Sequence, residues 1–445
     1  MKLFNRNFLF IIAGILFIHS GNSLALPDSL YVPDETYIVD SITIAGNDIT
    51  EEYIILRELT FQIGDTVTTS QLLFNRERII SLRLFTKVDV IPVVINNKTI
   101  ISIDLNEGWY LYPIPFIRRQ NNDSELSYGI NISYKNFRGR NERLRTIISL
   151  GYDPFFSLLY QNPAIDYENN LGLSFALSLL NLNNKSASAK RLYGDDFDYK
   201  FYSIGFVLGK RFDQFNDLYG GIGFTYVTAP ENAIGKMTAS GKSIDRVISL
   251  TAGYTYDSRD LKQHSQEGIY TLAQLQHKGL GFSNINYNIF FLDFREYRGI
   301  VENLSARWRI ALRHTFGKSI PYYDYSYFGY EEYVRGYSNE SSEGNNFILT
   351  SIEVSYPIIK DFDFSIKLPL IPRQITSARI GIYLSVFTDA GQVFNNHQRF
   401  HFGDFSTGYG FGLTILALPY NAIRFEYAFN KFGIGEFLIG SDFSF

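Results

Sequence analysis

The sequence predicts a membrane all-β protein: a 16-stranded antiparallel transmembrane β-barrel preceded by one small β-α-α-β-β domain. Three observations predict it. From Trp109 to the last residue, apolar and polar positions alternate in short segments separated by Gly, Asn, Asp and Pro. Aromatics are in excess, with 32 Tyr, 39 Phe and 2 Trp. The N-terminus carries an export signal, so the chain leaves the cytoplasm.

The remaining composition narrows the class. The chain has 445 residues, 45% hydrophobic and 19% charged, which excludes a disordered protein. Mean hydropathy is −0.07, which excludes a bundle of apolar membrane helices. A net charge of −4 argues against nucleic acid as a partner. With no Cys, there is no disulfide framework, thiolate metal site, cysteine nucleophile or lipidated cysteine.

At the N-terminus, Lys2 and Arg6 precede an apolar run from Phe8 to Ile18, short for a membrane span. Ser23 and Ala25 place small residues at −3 and −1, so residues 1–25 read as a signal peptide cleaved after Ala25. An uncleaved anchor is the alternative reading.

Residues 37–108 read as the small domain. Tyr37 to Ala45 is β-rich and ends at the turn Gly46-Asn47. Thr50 suits the N-cap of a first helix, and Ser70 the start of a second carrying Leu72, Leu73, Ile79, Ile80 and Leu82. Phe85–Val94 and Lys98–Leu105 then read as strands joined at Asn96-Asn97.

Residues 109–445 read as the barrel. Its strands are expected at 109–118, 124–135, 142–152, 154–162, 168–181, 197–212, 216–228, 244–257, 268–278, 285–298, 303–316, 346–357, 377–391, 406–417, 420–430 and 435–445. About ten residues cross a bilayer as a tilted strand, with lipid-facing apolar residues alternating with lumen-facing polar ones. Ile423, Phe425, Tyr427 and Phe429 oppose Arg424, Glu426 and Asn430; Tyr409, Phe411 and Leu413 oppose Gly408, Gly410 and Gly412. Parity also turns Asp389 and Glu353 to the lumen. A soluble sandwich alternates too, but its strands are usually shorter.

Closure requires the first strand to meet the last, because a lipid-exposed edge leaves backbone groups unsatisfied. The first strand holds Pro113 and Pro115, which lack the ladder donor; the last holds Phe443 and Phe445. Residues two apart point their N–H groups to one neighbour. Either both missing donors face the last strand and weaken this seam, or both face the second strand, or the stretch is linker.

Several motifs stand in order along this frame: Asn136-Phe137-Arg138-Gly139 after the second strand, Tyr256-Asp257-Ser258-Arg259-Asp260 at the end of the eighth, Val334-Arg335-Gly336-Tyr337 in the long segment 317–345, and Phe387-Thr388-Asp389-Ala390-Gly391 at the end of the thirteenth. On these residues the chain resembles the BamA/TamA-type outer-membrane superfamily, which includes two-partner-secretion translocators. Residues 37–108 look like one POTRA domain, through Ile63-Gly64-Asp65 and Leu84-Phe85-Thr86-Lys87-Val88. The resemblance implies a bacterial outer-membrane location with the POTRA domain in the periplasm. It also implies that the Val334–Tyr337 motif folds back into the lumen as a lock, with Arg335 pairing Asp389; by parity Glu426, second, and Glu353 face the same lumen and are further candidate partners.

No nucleophile–His–acid set, P-loop, metal site or cofactor fingerprint stands out, so neither enzymatic activity nor a cofactor is expected. The paired Glu331-Glu332 reads as a solvated loop. Two functions remain. One is an assembly factor that inserts or folds barrel clients through its POTRA domain and lateral seam. The other is a translocator exporting a dedicated passenger. A passive porin is a weaker third. About eleven residues separate Ala25 from Tyr37, too few for the plug helix of such translocators, which favours assembly. Expected partners are unfolded outer-membrane or secreted client proteins, the lipid bilayer, and periplasmic or lipoprotein partners at the POTRA domain. A single POTRA domain suits an accessory relative with few clients.

Overall fold

Sixteen antiparallel strands follow one another in a single sheet, each paired to its neighbours in sequence. The structure is a computed structural model. It describes residues 34–440 apart from 120–125, 233–234, 282–283, 302, 330–331, 339, 370, 397 and 399–400. The signal peptide, Glu331, Phe443 and Phe445 lie outside the described residues. Tyr37–Phe445 form one compact unit.

The small α/β region comes first. Its sheet has strands β1 (Ser41–Ala45), β2 (Phe85–Ile95) and β3 (Lys98–Glu107), with β3 in the centre, parallel to β1 and antiparallel to β2. Asn96 and Asn97 take φ of 49° and 64°, the left-handed pair a two-residue hairpin needs. Helix α1 (Glu52–Leu56) and helix α2 (Thr69–Ile80) cover the sheet. The cap of α2 is Thr68, in a reciprocal capping box with Gln71, two residues before the expected start at Ser70. Thr50 does not cap α1. Glu51 occupies that position without a side-chain bond. Thr50 instead accepts from Asn136 Nδ2 at 2.8 Å and donates its N–H to Glu107 Oε1 at 2.7 Å. The expected strand Tyr37–Ala45 is interrupted where Val39 and Asp40 donate N–H groups to Asp65 and Thr99.

The barrel strands are β4 (Leu111–Arg119), β5 (Leu126–Phe137), β6 (Glu142–Gly151), β7 (Phe155–Asp166), β8 (Leu171–Asn183), β9 (Asp198–Arg211), β10 (Asn216–Thr228), β11 (Ile244–Asp257), β12 (Gly268–Lys278), β13 (Asn286–Val301), β14 (Leu304–Lys318), β15 (Asn346–Ser365), β16 (Ser377–Phe394), β17 (Ser406–Leu418), β18 (Asn421–Asn430) and β19 (Gly435–Gly440). Every expected strand is present. β15, β7 and β16 end eight, four and three residues later than the alternation suggested. Among the described residues no ladder joins β4 to β19. The first strand meets the turn between β17 and β18 through side chains: the Tyr112 and Tyr420 rings lie edge-on, centroids 6.3 Å apart.

The α/β region packs against one mouth of the barrel, here the near mouth. Ile54, Ile55, Leu84 and Phe85 share one buried apolar cluster with Leu261, Tyr383, Leu416 and Leu418 of the barrel. Burying each such side chain contributes about 1.5–3 kcal/mol. Polar anchors surround the cluster. Glu58 binds Arg78 at 3.1 Å and Arg211 at 2.6 Å. Glu77 binds Arg379 at 2.6 Å, and the Glu51 N–H donates to Gly139 O at 2.9 Å. The motif Asn136–Gly139 is thus part of this docking surface, a role its sequence alone did not disclose.

Candidate functional site: the Arg335 cluster in the lumen

Segment 319–345 leaves β14 at the far mouth and returns into the barrel. Two short strands, Ser326–Phe328 and Ser342–Gly344, pair within it. Val334 is buried in an apolar cluster with Phe328, Phe347 and Leu349. That anchor delivers the next residue, Arg335, to the polar inner face of strands β15 to β18.

Arg335 is 4% exposed. Its Nε and Nη2 donate to the two oxygens of Asp389, each at 2.7 Å, and its backbone N–H donates to Asp389 Oδ2 at 3.1 Å. Nη1 donates to Glu426 Oε1 at 2.8 Å and Glu353 Oε2 at 3.0 Å. Nη2 also reaches Ser351 Oγ at 3.2 Å. The guanidinium carbon lies 3.5 Å from the centroid of Phe387. A planar fork with five donors suits this arrangement: a bidentate carboxylate, two further acids, and an aromatic face below. All three lumen acids singled out by strand parity therefore meet Arg335.

Two partners escaped sequence reasoning although their parity was visible. Arg307 pairs with Glu353, and Arg424 pairs with both Glu353 and Glu426. Three guanidinium groups thus face three carboxylates. A buried cluster of this kind needs such balance, because an unpaired ion in low dielectric is costly. Glu332 belongs to a second cluster. It accepts from Arg309 at 2.7 Å and 3.0 Å, correcting its reading as a solvated loop residue; Arg309 also binds Asp293 at 2.9 Å.

Gly336 (φ +98°) turns the chain beside Phe429, where a Cβ would lie 2.9 Å from its backbone. Its N–H donates to Glu436 Oε1 at 2.7 Å. Ser338 adds an N–H at 3.1 Å and its hydroxyl at 2.8 Å to the same carboxylate. Glu436 belongs to β19, so the motif is tied to the last strand as well as to the lumen wall. Lys431 N–H donates to the Tyr337 hydroxyl at 3.3 Å.

The glycines of β17 make room for this path. A Cβ at Gly408 would lie 1.7 Å from Arg335 O. Gly408→Ala must therefore displace the motif, at a cost on the order of 1–3 kcal/mol. Trypsin should cut segment 319–345 about tenfold faster in that variant. Gly403→Ala, with nothing within 4 Å of its Cβ, should cut as wild type does. Equal rates in all three proteins would show that the motif does not rest on Gly408.

At the other end of the sheet, Lys135 N–H donates to Tyr110 O at 2.8 Å. Leu111 pairs with Tyr134 and the register then runs without a shift to Arg119. Even-numbered residues of β4 therefore turn their backbone polar groups to β5, and odd-numbered ones turn them away. Pro113 and Pro115 are odd, so their imide nitrogens face away from β5. Both lie within the strand rather than in a linker.

The opposite half of the lumen holds a cavity of about 940 Å³, walled by small residues such as Ser174, Gly205, Gly223 and Thr251 and reaching Arg57, Glu58, Arg78 and Arg211 at the near mouth.

The Omp85 superfamily domain matches residues 136–440. Among solved structures, BamA from Haemophilus ducreyi lacking POTRA domains 1–3 superposes with a TM-score of 0.52 at 19% identity, covering 91% of this chain and 83% of that one. CdiB from Escherichia coli superposes with a TM-score of 0.50 at 10% identity, covering 95% and 91%. Among curated proteins none matches. The family match takes in both halves of the Arg335–Asp389 pair and every strand from β6 to β19: the chain belongs to the Omp85 superfamily.

Proposed function

We propose that the chain is an outer-membrane assembly factor that helps fold or insert β-barrel clients. The α/β region would act in the periplasm as a POTRA domain. The observation that carries this reading is the orientation of β4: Pro113 and Pro115 offer no donors on the side where the last strand must close the barrel. Two ladder bonds are missing from that line, so it is the weakest in the wall. A client strand could pair there as the line opens, and hydrophobic mismatch at a weak seam lowers the barrier to insertion.

The α/β sheet supports the reading from below. Its edge strands are β1 and β2, and Ile91, Val94 and Ile95 of β2 are exposed. An extended client can add to such an edge by main-chain pairing. The Arg335 cluster would hold segment 319–345 inside the lumen while the seam works. Its tie to Glu436 on β19 would couple that segment to the moving strand.

A second reading is supported by the lumen cavity of about 940 Å³. A translocator would route one passenger through that half of the barrel. Depleting the protein and quantifying the outer-membrane and culture-medium proteomes separates the two. Assembly predicts that several barrel proteins fall together. Loss of one secreted protein alone, with barrel proteins unchanged, would overturn assembly in favour of export.

A further inference from the structure

The β15–β16 hairpin is unlike the other near-mouth connections. The register of β15 with β14 ends at Ser305↔Ser355, yet β15 continues for ten residues to Ser365, paired among the described residues only with β16. Cross-strand partners share a face. Ile359 opposes Ile382, Phe362 opposes Ile380, and Phe364 opposes Ala378. Ile380 and Ile382 have the parity of Leu384 and Val386 on the outer wall, opposite the buried Ser385 and Asp389. The outward stripe therefore runs on from the barrel wall through Tyr356, Ile359, Phe362 and Phe364, which are 39–54% exposed. Ile366, Leu368 and Ile371 extend it around the turn, at 42–43% exposure.

The inner face has opposite chemistry. Asp361 binds Arg76 of α2 at 3.1 Å and Arg379 at 3.2 Å, and Arg379 binds Glu77 of α2 at 2.6 Å. These pairs hold the hairpin against the α/β region and fix which face looks outward. Lys360, Lys367 and Arg373 are exposed around the apolar stripe.

We propose that this hairpin is a membrane-surface anchor whose apolar face seats in the phospholipid headgroup boundary of the near leaflet. Continuity with the outer wall selects lipid as the occupant. The free backbone edge of β15 past Ser355 sets the depth: unpaired N–H and C=O groups are excluded from hydrocarbon but satisfied among headgroups and water. Basic side chains beside an apolar face suit anionic phosphates. The anchor would hold the α/β region at a set height and angle under the barrel. It does not depend on whether the protein assembles or exports clients.

The chain has no Cys, so single cysteines report unambiguously. Phe364→Cys and Leu368→Cys would be nitroxide-labelled in the full chain, refolded into phosphatidylethanolamine–phosphatidylglycerol vesicles. Collision with dissolved oxygen and with a water-soluble nickel chelate is then compared with Val386→Cys on the outer wall and Lys98→Cys on the α/β region. Values at both hairpin sites between the two references support the anchor. Values matching Lys98→Cys, or protection from both reagents as under a protein partner, overturn it. As a second measurement, Phe362→Asp/Phe364→Asp should lower the yield of vesicle insertion severalfold while leaving heat-modifiability in detergent unchanged. Wild-type insertion by that variant would also overturn the proposal.

Discussion

Arg335→Ala is expected to lower the temperature at which the folded barrel loses its heat-modifiable mobility, and to release segment 319–345 from the lumen. The guanidinium makes five side-chain bonds to Asp389, Glu353, Glu426 and Ser351. Its removal leaves three buried carboxylates facing two arginines, Arg307 and Arg424. Breaking one partner of a buried ion pair typically costs about 3–5 kcal/mol, chiefly because the other charge is stranded. Two further variants separate charge from geometry. Arg335→Lys keeps the charge but loses the fork and the flat contact on Phe387, so it should recover only part of the loss. Asp389→Asn in the Arg335→Ala background neutralises the acid left behind, so the double variant should be more stable than Arg335→Ala alone. Unchanged melting of Arg335→Ala, with the tyrosine-rich segment 319–345 still protected from chymotrypsin, would mean that Val334 and Tyr337 hold the motif without the arginine.

The strands were legible because each crosses a boundary between lipid and lumen, and that boundary writes a period of two into the chain. The same parity placed Asp389, Glu353 and Glu426 together, since side chains pointing into one lumen can converge from distant positions. Where the environment is not two-sided, the pattern fails. β15 was expected to stop at Pro357, but bulges between Pro357 and Phe362 shift the alternation and the strand continues to Ser365. Thr50 has the residue type of a helix cap, yet its strongest partners, Glu107 and Asn136, are 57 and 86 residues away. Glu436 was equally silent, because it serves backbone N–H groups of Gly336 and Ser338, and the path of that segment is not written in the parity of β19. The docking of the α/β region was invisible for the same reason: Glu58 and Arg211 are 153 residues apart and carry no local signature.

Glu58 supplies the second large effect. Its carboxylate sits between Arg78 and Arg211 where the α/β region meets the barrel, and Arg78 also donates to Gln214 O at 2.6 Å. Burial disfavours the charged form, but Arg211, with Lys262 and Arg78 behind it, outweighs burial and holds the carboxyl at about 2, against an ordinary 4.5. A carboxyl depressed in the folded state contributes stability in full above its unfolded value and loses it as pH falls through the folded one. The docked arrangement should therefore be insensitive to this group above about pH 4.5 and lose roughly 3 kcal/mol between there and pH 2. At neutral pH, Glu58→Gln removes the charge and strands two arginines, so hydrogen exchange across Thr69–Ile80 should accelerate by about two orders of magnitude, or ~3 kcal/mol. Other carboxylates also titrate in acid, so the decisive quantity is the difference between wild type and Glu58→Gln. That difference should shrink steadily from pH 4.5 towards pH 2, as the wild-type carboxyl itself becomes neutral. A difference that stays constant over that interval would show that shape complementarity around Glu58, rather than its charge, holds the α/β region on the barrel.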